Sequence, residues 1–146
     1  MKKAILSPHN IILGLPSSSR DEAIRLVGER LIEEGYVTSE YVDAMFEREE
    51  IVSTYIGNGI AIPHGVGKAR HQILHSGLVV MQYPEGIEYN GNTAYLVIGI
   101  AGKDNDHIKI LANIAEAFGD EDDAKKLWHT RDVNLVYKLF TEGSES

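Results

Sequence analysis

Residues 78–101, LVVMQYPEGIEYNGNTAYLVIGIA, contain the two strongest strand candidates in the chain. The runs 78–83 and 94–101 are rich in β-branched and aromatic residues, which favour strands. Asn90-Gly91 lies between them and is a turn signal, so the two runs are predicted to pair antiparallel across a long connection. The second run is almost continuously apolar, which is typical of a central strand that is covered on both faces.

Apolar periodicity predicts helices on either side of this pair of strands. Ser19, with Glu22 three residues later, forms a capping box for a first helix that Gly35 would end. A second helix follows Thr38-Ser39, and residues 47–50 at its end are all charged. The remaining predicted elements are helices over 107–118, 122–128 and 133–140, strands over 10–15, 51–56 and 60–62, and a frayed tail from 142 to 146. This order of elements predicts a three-layer α/β/α sandwich of the α+β class, with a mixed sheet between helices on both faces.

Length and composition narrow the class of protein. The chain has 146 residues, so we expect residues 1–146 to form a single domain. It has no cysteine, which excludes thiolate catalysis and cysteine zinc sites and fits a reducing cytosol. No apolar run is long enough for a membrane span or a secretory signal, so we expect a cytoplasmic protein. The net charge of −8, with dispersed Lys and Arg, argues against nucleic acid or an anionic membrane as partner and is compatible with a basic protein.

The stretch GNGIAIPHG, residues 57–65, places one histidine directly after a short apolar strand. Glycine tolerates positive φ and has no Cβ to obstruct a close visitor, and glycines stand at 57, 59, 65 and 67. We therefore expect His64 to be an open, glycine-flanked imidazole at a strand end. The alternative at this point is a Pro-Gly turn with an incidental surface histidine.

Six histidines are present, and His64 and His107 lie where strands end and a helix begins. The other four lie in polar, surface-like contexts and are expected to have no chemical role: His9, His71, His75 and His129. Asp104, Asp106 and His107 are close in sequence, but the chain lacks a metal-ligand motif such as His-Glu-x-x-His, so we expect no metal and no cofactor. The phosphate loop ending in Gly-Lys-Ser/Thr and the Gly-x-Ser-x-Gly motif are also absent, which disfavours nucleotide-dependent kinases and serine hydrolases.

A histidine nucleophile is compatible with all of these exclusions. A neutral imidazole can attack a phosphoryl group and hold it as phosphohistidine when nearby donors offset the added charge. The helix that starts at His107 would offer free backbone N–H groups, and a neutral His107 could donate to a phosphoryl oxygen or orient His64. Arg48 supplies a permanent planar cation suited to the same oxygens, and a solvated charge among carboxylates is its alternative interpretation.

Three motifs, taken in their order and spacing, resemble a known family. They are MFERE at 45–49, STYIG at 53–57 leading to HG at 64–65, and DNDH at 104–107. The chain resembles the IIA component of the bacterial phosphoenolpyruvate-dependent sugar phosphotransferase system, in its mannitol and fructose class, over nearly its whole length. Within that class it is most similar to the mannitol-specific proteins, through residues 53–57, 82–86 and 96–101.

The resemblance implies a phosphotransferase that works through a phosphohistidine. His64 would accept the phosphoryl group on Nε2 from phospho-HPr and pass it to a cysteine of the IIB domain of a sugar permease. His107 would be the second active-site histidine and Arg48 the active-site arginine. Contact with the membrane would be indirect, through the IIC permease. A regulatory phosphoacceptor of the nitrogen-related IIA type, and a IIA protein for fructose or another hexitol, remain as alternatives.

Overall fold

A computed structural model describes residues 5–65, 67–103 and 106–143. Within these ranges the chain forms five strands and five α-helices. In chain order they are β1 (Ile11–Ile12), α1 (Arg20–Glu33), α2 (Tyr41–Ile51), β2 (Tyr55–Gly57), β3 (Ile60–Ala61), β4 (Gly77–Tyr89), β5 (Asn92–Ala101), α3 (Asp106–Ala117), α4 (Glu121–Trp128) and α5 (Val133–Gly143). None of the helices among the described residues has the length and apolar character that a membrane span requires.

The strands form one mixed sheet in the order β1-β4-β5-β3-β2. β4 and β5 make an antiparallel hairpin at its centre, β1 runs parallel to β4, β3 runs parallel to β5, and β2 is antiparallel to β3. Helices α1 and α2 pack on one face over one apolar cluster, and α3, α4 and α5 pack on the other face over a second. The predicted α+β sandwich, a mixed sheet with helices on both faces, is confirmed.

Central strand β5 shows why the sheet needs both layers of helices. Its side chains alternate between the faces, as the pleat of a strand requires. Val97 belongs to the cluster under α1 and α2, whereas Leu96 and Ile98 belong to the cluster under the C-terminal helices. All three are fully buried, so the prediction of a central strand covered on both sides is confirmed.

The central hairpin is longer than the sequence predicted. β4 continues through Pro84 to Tyr89, and its pairing with β5 shifts register between Gln82 and Ile87. Such an irregularity lets one strand carry extra residues without ending the ladder. The predicted antiparallel pairing is confirmed, but the predicted long connection is wrong, because the strands meet at a tight turn in which Asn90 and Gly91 have φ of 52° and 86°.

The boundaries of α1 are as predicted. Ser19 Oγ accepts a hydrogen bond from Glu22 N at 3.1 Å, which caps the first turn, and Gly35 has the positive φ of 80° that is common just after a helix. The structure shortens the predicted strand over 10–15 to β1, which follows a 3-10 turn.

The predicted strand over 51–56 is also largely wrong. Ile51 is the last residue of α2, and β2 starts only at Tyr55. A β-branched residue at the end of a helix gives the same local signal as one in a strand, and tertiary contacts decide between them. At the other end of the chain, α5 extends to Gly143, beyond the predicted 140, and residues 144–146 of the predicted frayed tail lie outside the described residues.

Gly57 and Gly59 lie at the end of β3 opposite to His64. With Asn58 they form the β2–β3 turn, in which all three residues have positive φ, of 100°, 52° and 75° in chain order. The turn is anchored to α4, since Trp128 Nε1 donates to Asn58 O at 3.0 Å. These two glycines therefore shape a turn, and the prediction that they flank the histidine is wrong.

Gly59→Ala should destabilise the fold by more than its positive φ alone explains. A Cβ at Gly59 would lie 2.7 Å from Trp128 Nε1 and 2.8 Å from Tyr95 Cδ2, whose rings stack 4.1 Å apart. Left-handed geometry and displacement of this pair together should lower the free energy of unfolding by about 3 kcal/mol. Gly91→Ala is the matched control, because Gly91 has a φ of 86° but nothing lies within 4 Å of its Cβ position. Urea unfolding followed by circular dichroism measures both, and equal losses would contradict the role of the aromatic pair.

Candidate active site

His64 follows β3 and forms a parallel bridge to Ile100 in β5. Its Nδ1 lies 2.7 Å from Ile62 O. Because a carbonyl oxygen can only accept, Nδ1 carries the proton, and the lone pair of the neutral imidazole is on Nε2. The residue is 7% exposed, so the prediction of an open imidazole is wrong, while its position at a strand end is confirmed.

The backbone on both sides of His64 is held by β5 and α2. Ile100 N donates to Pro63 O at 3.0 Å. On the other side, Gly65 N donates to Tyr41 OH at 2.9 Å, and that hydroxyl donates to Ile100 O at 2.8 Å. Tyr41, the first residue of α2, thereby ties the residue after His64 to the central sheet.

Gly65 is required by the close approach of this tyrosine. A Cβ at Gly65 would lie 2.7 Å from Tyr41 Cε1. Gly65 belongs to the glycine-containing stretch that the sequence singles out, whereas no motif in the sequence points to Tyr41. No local signal links the two, because they lie 24 residues apart and meet only in the folded protein.

Alkaline pH should weaken the fold through Tyr41. Burial raises the pKa of Tyr41 to about 12, and the hydrogen bond from Gly65 N–H opposes this shift. The folded pKa lies above the unfolded value, so the contribution to stability is complete below pH ~10 and is lost as the pH rises towards 12. Within that window we expect the free energy of unfolding to fall by about 1.4 kcal/mol per pH unit for this group.

Tyr41→Phe removes this titration, so urea unfolding of the variant should depend less on pH between 10 and 12 than unfolding of the wild type. Tyr137→Phe serves as the control for removal of a phenol. Parallel pH dependences for wild type and Tyr41→Phe would contradict the assignment.

Helix α3 begins at the same end of the sheet as His64. Ile100, which bridges His64, is followed by the end of β5, and α3 starts at Asp106. Ser76 fixes this connection, since Ser76 Oγ donates to Asp106 Oδ2 at 2.7 Å and accepts from Lys103 N at 2.9 Å. The first turn of α3, in which Asp106 N donates to Lys103 O at 3.1 Å, therefore lies in the region of His64.

His107 is the second residue of α3, as predicted from its position at a helix start. The structure describes its backbone, and its side chain lies outside what is described. Asp104 and Asn105 of the same motif also lie outside the described residues. The predicted role of His107 therefore stays a prediction.

Arg48 lies in the last turn of α2, where its Nη1 donates to Val52 O at 2.7 Å. Val52 leads into β2, which runs antiparallel to β3. The residues just before β2 therefore lie beside the residues just after β3, which lead to His64. The hydrogen bond from Ile62 N to Thr54 O, at 3.0 Å, joins these two segments. Arg48 thus belongs to the same end of the sheet as His64, and its contact with a phosphoryl group stays a prediction.

The four histidines that were predicted to be surface residues are exposed: His9, His71, His75 and His129. Among the described residues, no group of three or more His, Cys, Asp or Glu side chains is arranged to hold a metal ion.

Residues 4–143 match the family model described as the phosphoenolpyruvate-dependent sugar phosphotransferase system, EIIA 2. The chain belongs to this EIIA family. The mannitol-specific phosphotransferase enzyme IIA component of Bacillus subtilis (strain 168) is 48% identical to this EIIA protein over 139 residues, which cover 94% of this chain and 97% of that protein. The resemblance inferred from the three motifs is therefore confirmed.

Two further comparisons connect this EIIA protein with larger assemblies. The PTS system mannitol-specific EIICBA component of Pasteurella multocida (strain Pm70) is 48% identical over 139 residues, which cover 92% of this chain and 22% of that protein. The solved complex of enzyme IIAMTL and phosphorylated enzyme IIBMTL from Escherichia coli contains a chain that matches with a TM-score of 0.88 and 39% identity, covering 97% of this chain and 99% of that one.

Proposed function

We propose that this EIIA protein is a cytoplasmic, single-domain phosphoryl carrier for mannitol uptake. His64 accepts a phosphoryl group from phospho-HPr and passes it to a cysteine of a mannitol-specific IIB domain. The observation that carries the proposal is the hydrogen bond from His64 Nδ1–H to Ile62 O, at 2.7 Å. This bond leaves the lone pair on Nε2, which makes that nitrogen the nucleophile.

In the accepting step, the Nε2 lone pair of His64 forms a bond to phosphorus. The P–N bond of phospho-HPr breaks, and its electron pair returns to the histidine nitrogen of HPr. The His64 ring keeps its Nδ1 proton and so becomes an imidazolium that carries the phosphoryl group. Ile62 O, which already accepts from Nδ1–H, stabilises the positive charge that develops on the ring.

In the donating step, a cysteine sulfur of IIB attacks phosphorus and the electron pair of the N–P bond returns to Nε2. Both steps need in-line placement and charge stabilisation more than covalent machinery. Arg48 and His107 would supply donors to the phosphoryl oxygens, together with backbone N–H groups at the start of α3. Val52 O takes one of the five N–H donors of the Arg48 guanidinium.

Mannitol is favoured over fructose or another hexitol by the similarity to mannitol-specific proteins at 48% identity. The related Escherichia coli IIA protein is described in a complex with phosphorylated IIB, which favours transfer to a IIB partner over a purely regulatory role. The net charge of −8 suits a partner with a basic surface.

The test is a two-stage transfer assay. Incubation with phosphoenolpyruvate, enzyme I and HPr should place acid-labile phosphate on the protein, and mannitol IIB should then remove it faster than fructose IIB does. Absence of label would overturn the role as a phosphoryl carrier. Faster transfer to fructose IIB would overturn the choice of mannitol, and a stable label that neither IIB accepts would favour the regulatory alternative.

A further inference from the structure

Glu49 is a buried carboxylate in the last turn of α2, 4% exposed. Its Oε1 accepts from Thr54 Oγ1 at 2.7 Å and from Tyr89 OH at 2.8 Å. Its Oε2 accepts from Thr54 N at 2.8 Å and from Asn90 Nδ2 at 2.9 Å. Four donors thus face the two oxygens, which is the arrangement that an ionised, acceptor-only carboxylate requires.

The donors to this carboxylate come from two segments of the chain, one five residues from Glu49 and the other 40 residues away. Tyr89 ends β4 and Asn90 forms the turn of the central hairpin, while Thr54 precedes β2. Asn90 Oδ1 also accepts from Arg20 Nη1 at 2.6 Å, so a cation of α1 reaches Glu49 through one amide. Burial raises the pKa of Tyr89, which keeps its hydroxyl a donor.

A buried charge is costly to desolvate, and an apolar side chain could fill the same place at lower cost. Filling space in the core therefore does not explain why a carboxylate stands at position 49. What it holds is the turn between α2 and β2, because both the N–H and the hydroxyl of Thr54 bind the carboxylate.

That turn is connected to His64 by two further hydrogen bonds. Thr54 O accepts from Ile62 N at 3.0 Å, and Ile62 O accepts from His64 Nδ1–H at 2.7 Å. The carboxylate is also adjacent in sequence to Arg48, whose side chain binds the same turn at Val52 O.

We propose that Glu49 is a positioning residue for phosphoryl transfer, which fixes the turn before β2 and, through Thr54 and Ile62, holds His64 with its proton on Nδ1. The inference rests on the proposed function of His64. Without this anchor Ile62 O is no longer held against Nδ1, and the tautomer with the proton on Nε2 gains population. That tautomer has no lone pair on Nε2 and cannot accept the phosphoryl group there.

Glu49→Gln tests the inference, because glutamine keeps the shape but turns one accepting oxygen into an NH2 group that faces donors. Glu50→Gln is the matched control, since it removes the same charge at the next residue, whose side chain is 76% exposed. The first experiment measures the ¹⁵N chemical shifts of the His64 ring in protein that has not been incubated with a phosphoryl donor. Wild type and Glu50→Gln should show Nδ1–H, and Glu49→Gln should show a mixture of tautomers.

The second measurement is single-turnover acceptance from phospho-HPr. Glu49→Gln should be slower by about tenfold or more at saturating phospho-HPr, and Glu50→Gln should stay within about twofold of wild type. A wild-type tautomer and a wild-type rate in Glu49→Gln would overturn the inference. Because the tautomer is measured without a donor, failure of the proposed function, seen as no label on wild type, is distinguishable from failure of this inference.

A loss of stability alone would not change the tautomer equilibrium of His64 in protein that remains folded. If Glu49→Gln does not fold, two milder variants replace it. Tyr89→Phe removes one hydroxyl donor and Thr54→Val removes another while it keeps the Thr54 backbone N–H. Each should shift the His64 ring signals in the same direction as predicted for Glu49→Gln, and wild-type signals in both folded variants would overturn the inference.

Discussion

His64→Gln is expected to abolish phosphoryl acceptance and to leave the fold intact. The glutamine amide fills much of the same buried site, but an amide nitrogen has no lone pair available for attack on phosphorus. Removal of a nucleophile typically costs several orders of magnitude, so label transferred from phospho-HPr should fall by about 10³-fold or more. The measurement is acid-labile radioactive phosphate on the protein after incubation with phosphoenolpyruvate, enzyme I and HPr.

His71→Gln provides the control for this experiment. His71 lies in the 3-10 segment Gly67–Gln72 that follows His64 and is exposed. It should label at the wild-type rate. Normal labelling of His64→Gln, or loss of label in His71→Gln, would contradict the assignment of the phosphoryl acceptor.

Arg48→Ala is expected to slow phosphoryl acceptance by about 10²-fold, since a cation aimed at the transferring group is typically worth that much. Arg48→Lys should recover only part of the rate, because an ammonium lacks the planar fork that binds two oxygens at once. Rapid-quench measurement of a single turnover at saturating phospho-HPr separates this effect from weaker docking of the donor protein.

Lys126→Ala is the charge-matched control for Arg48→Ala. Lys126 lies on α4, across the sheet from α2, and pairs at the surface with Asp123 at 3.5 Å. Its loss should leave the rate unchanged. Equal rates for Arg48→Ala and Lys126→Ala would show that the guanidinium does not act on the phosphoryl group.

The parts of the fold that were predictable from sequence have local causes. Ser19 and Glu22 cap α1 through groups three residues apart, and the apolar run of β5 is long enough to require cover on both faces. The position of His64 at the end of a strand followed from the short apolar run before it. These features depend on neighbouring residues, which is what sequence patterns record.

Elements set by distant contacts were not predictable in the same way. Pro84 and Gly86 indicate a loop when taken alone, yet β4 continues through them because β5 supplies the ladder on the other side of the irregularity. Similarly, Gly57 and Gly59 stand close to His64 in the sequence but at the opposite end of β3 in the fold.

The residues of the candidate site also include some that local sequence identifies and some that only distant contacts bring into place. His64, Gly65 and Arg48 belong to short motifs, whereas Tyr41 acts through an oxygen that reaches Gly65 only in the folded chain. Glu49 lies within the charged run of residues 47–50 and was given no role from the sequence. Its spacing of four and eight residues from Met45 and Tyr41 places it on the buried stripe of α2, and helical periodicity alone could have revealed this.

The phosphorylated nitrogen of His64 can be identified by ¹⁵N and ³¹P NMR of the protein labelled through HPr. The hydrogen bond from Nδ1–H to Ile62 O predicts phosphorus bonded to Nε2, with Nδ1 still protonated. Phosphorus bonded to Nδ1 would contradict it, because that nitrogen would then have lost both its proton and its bond to Ile62 O.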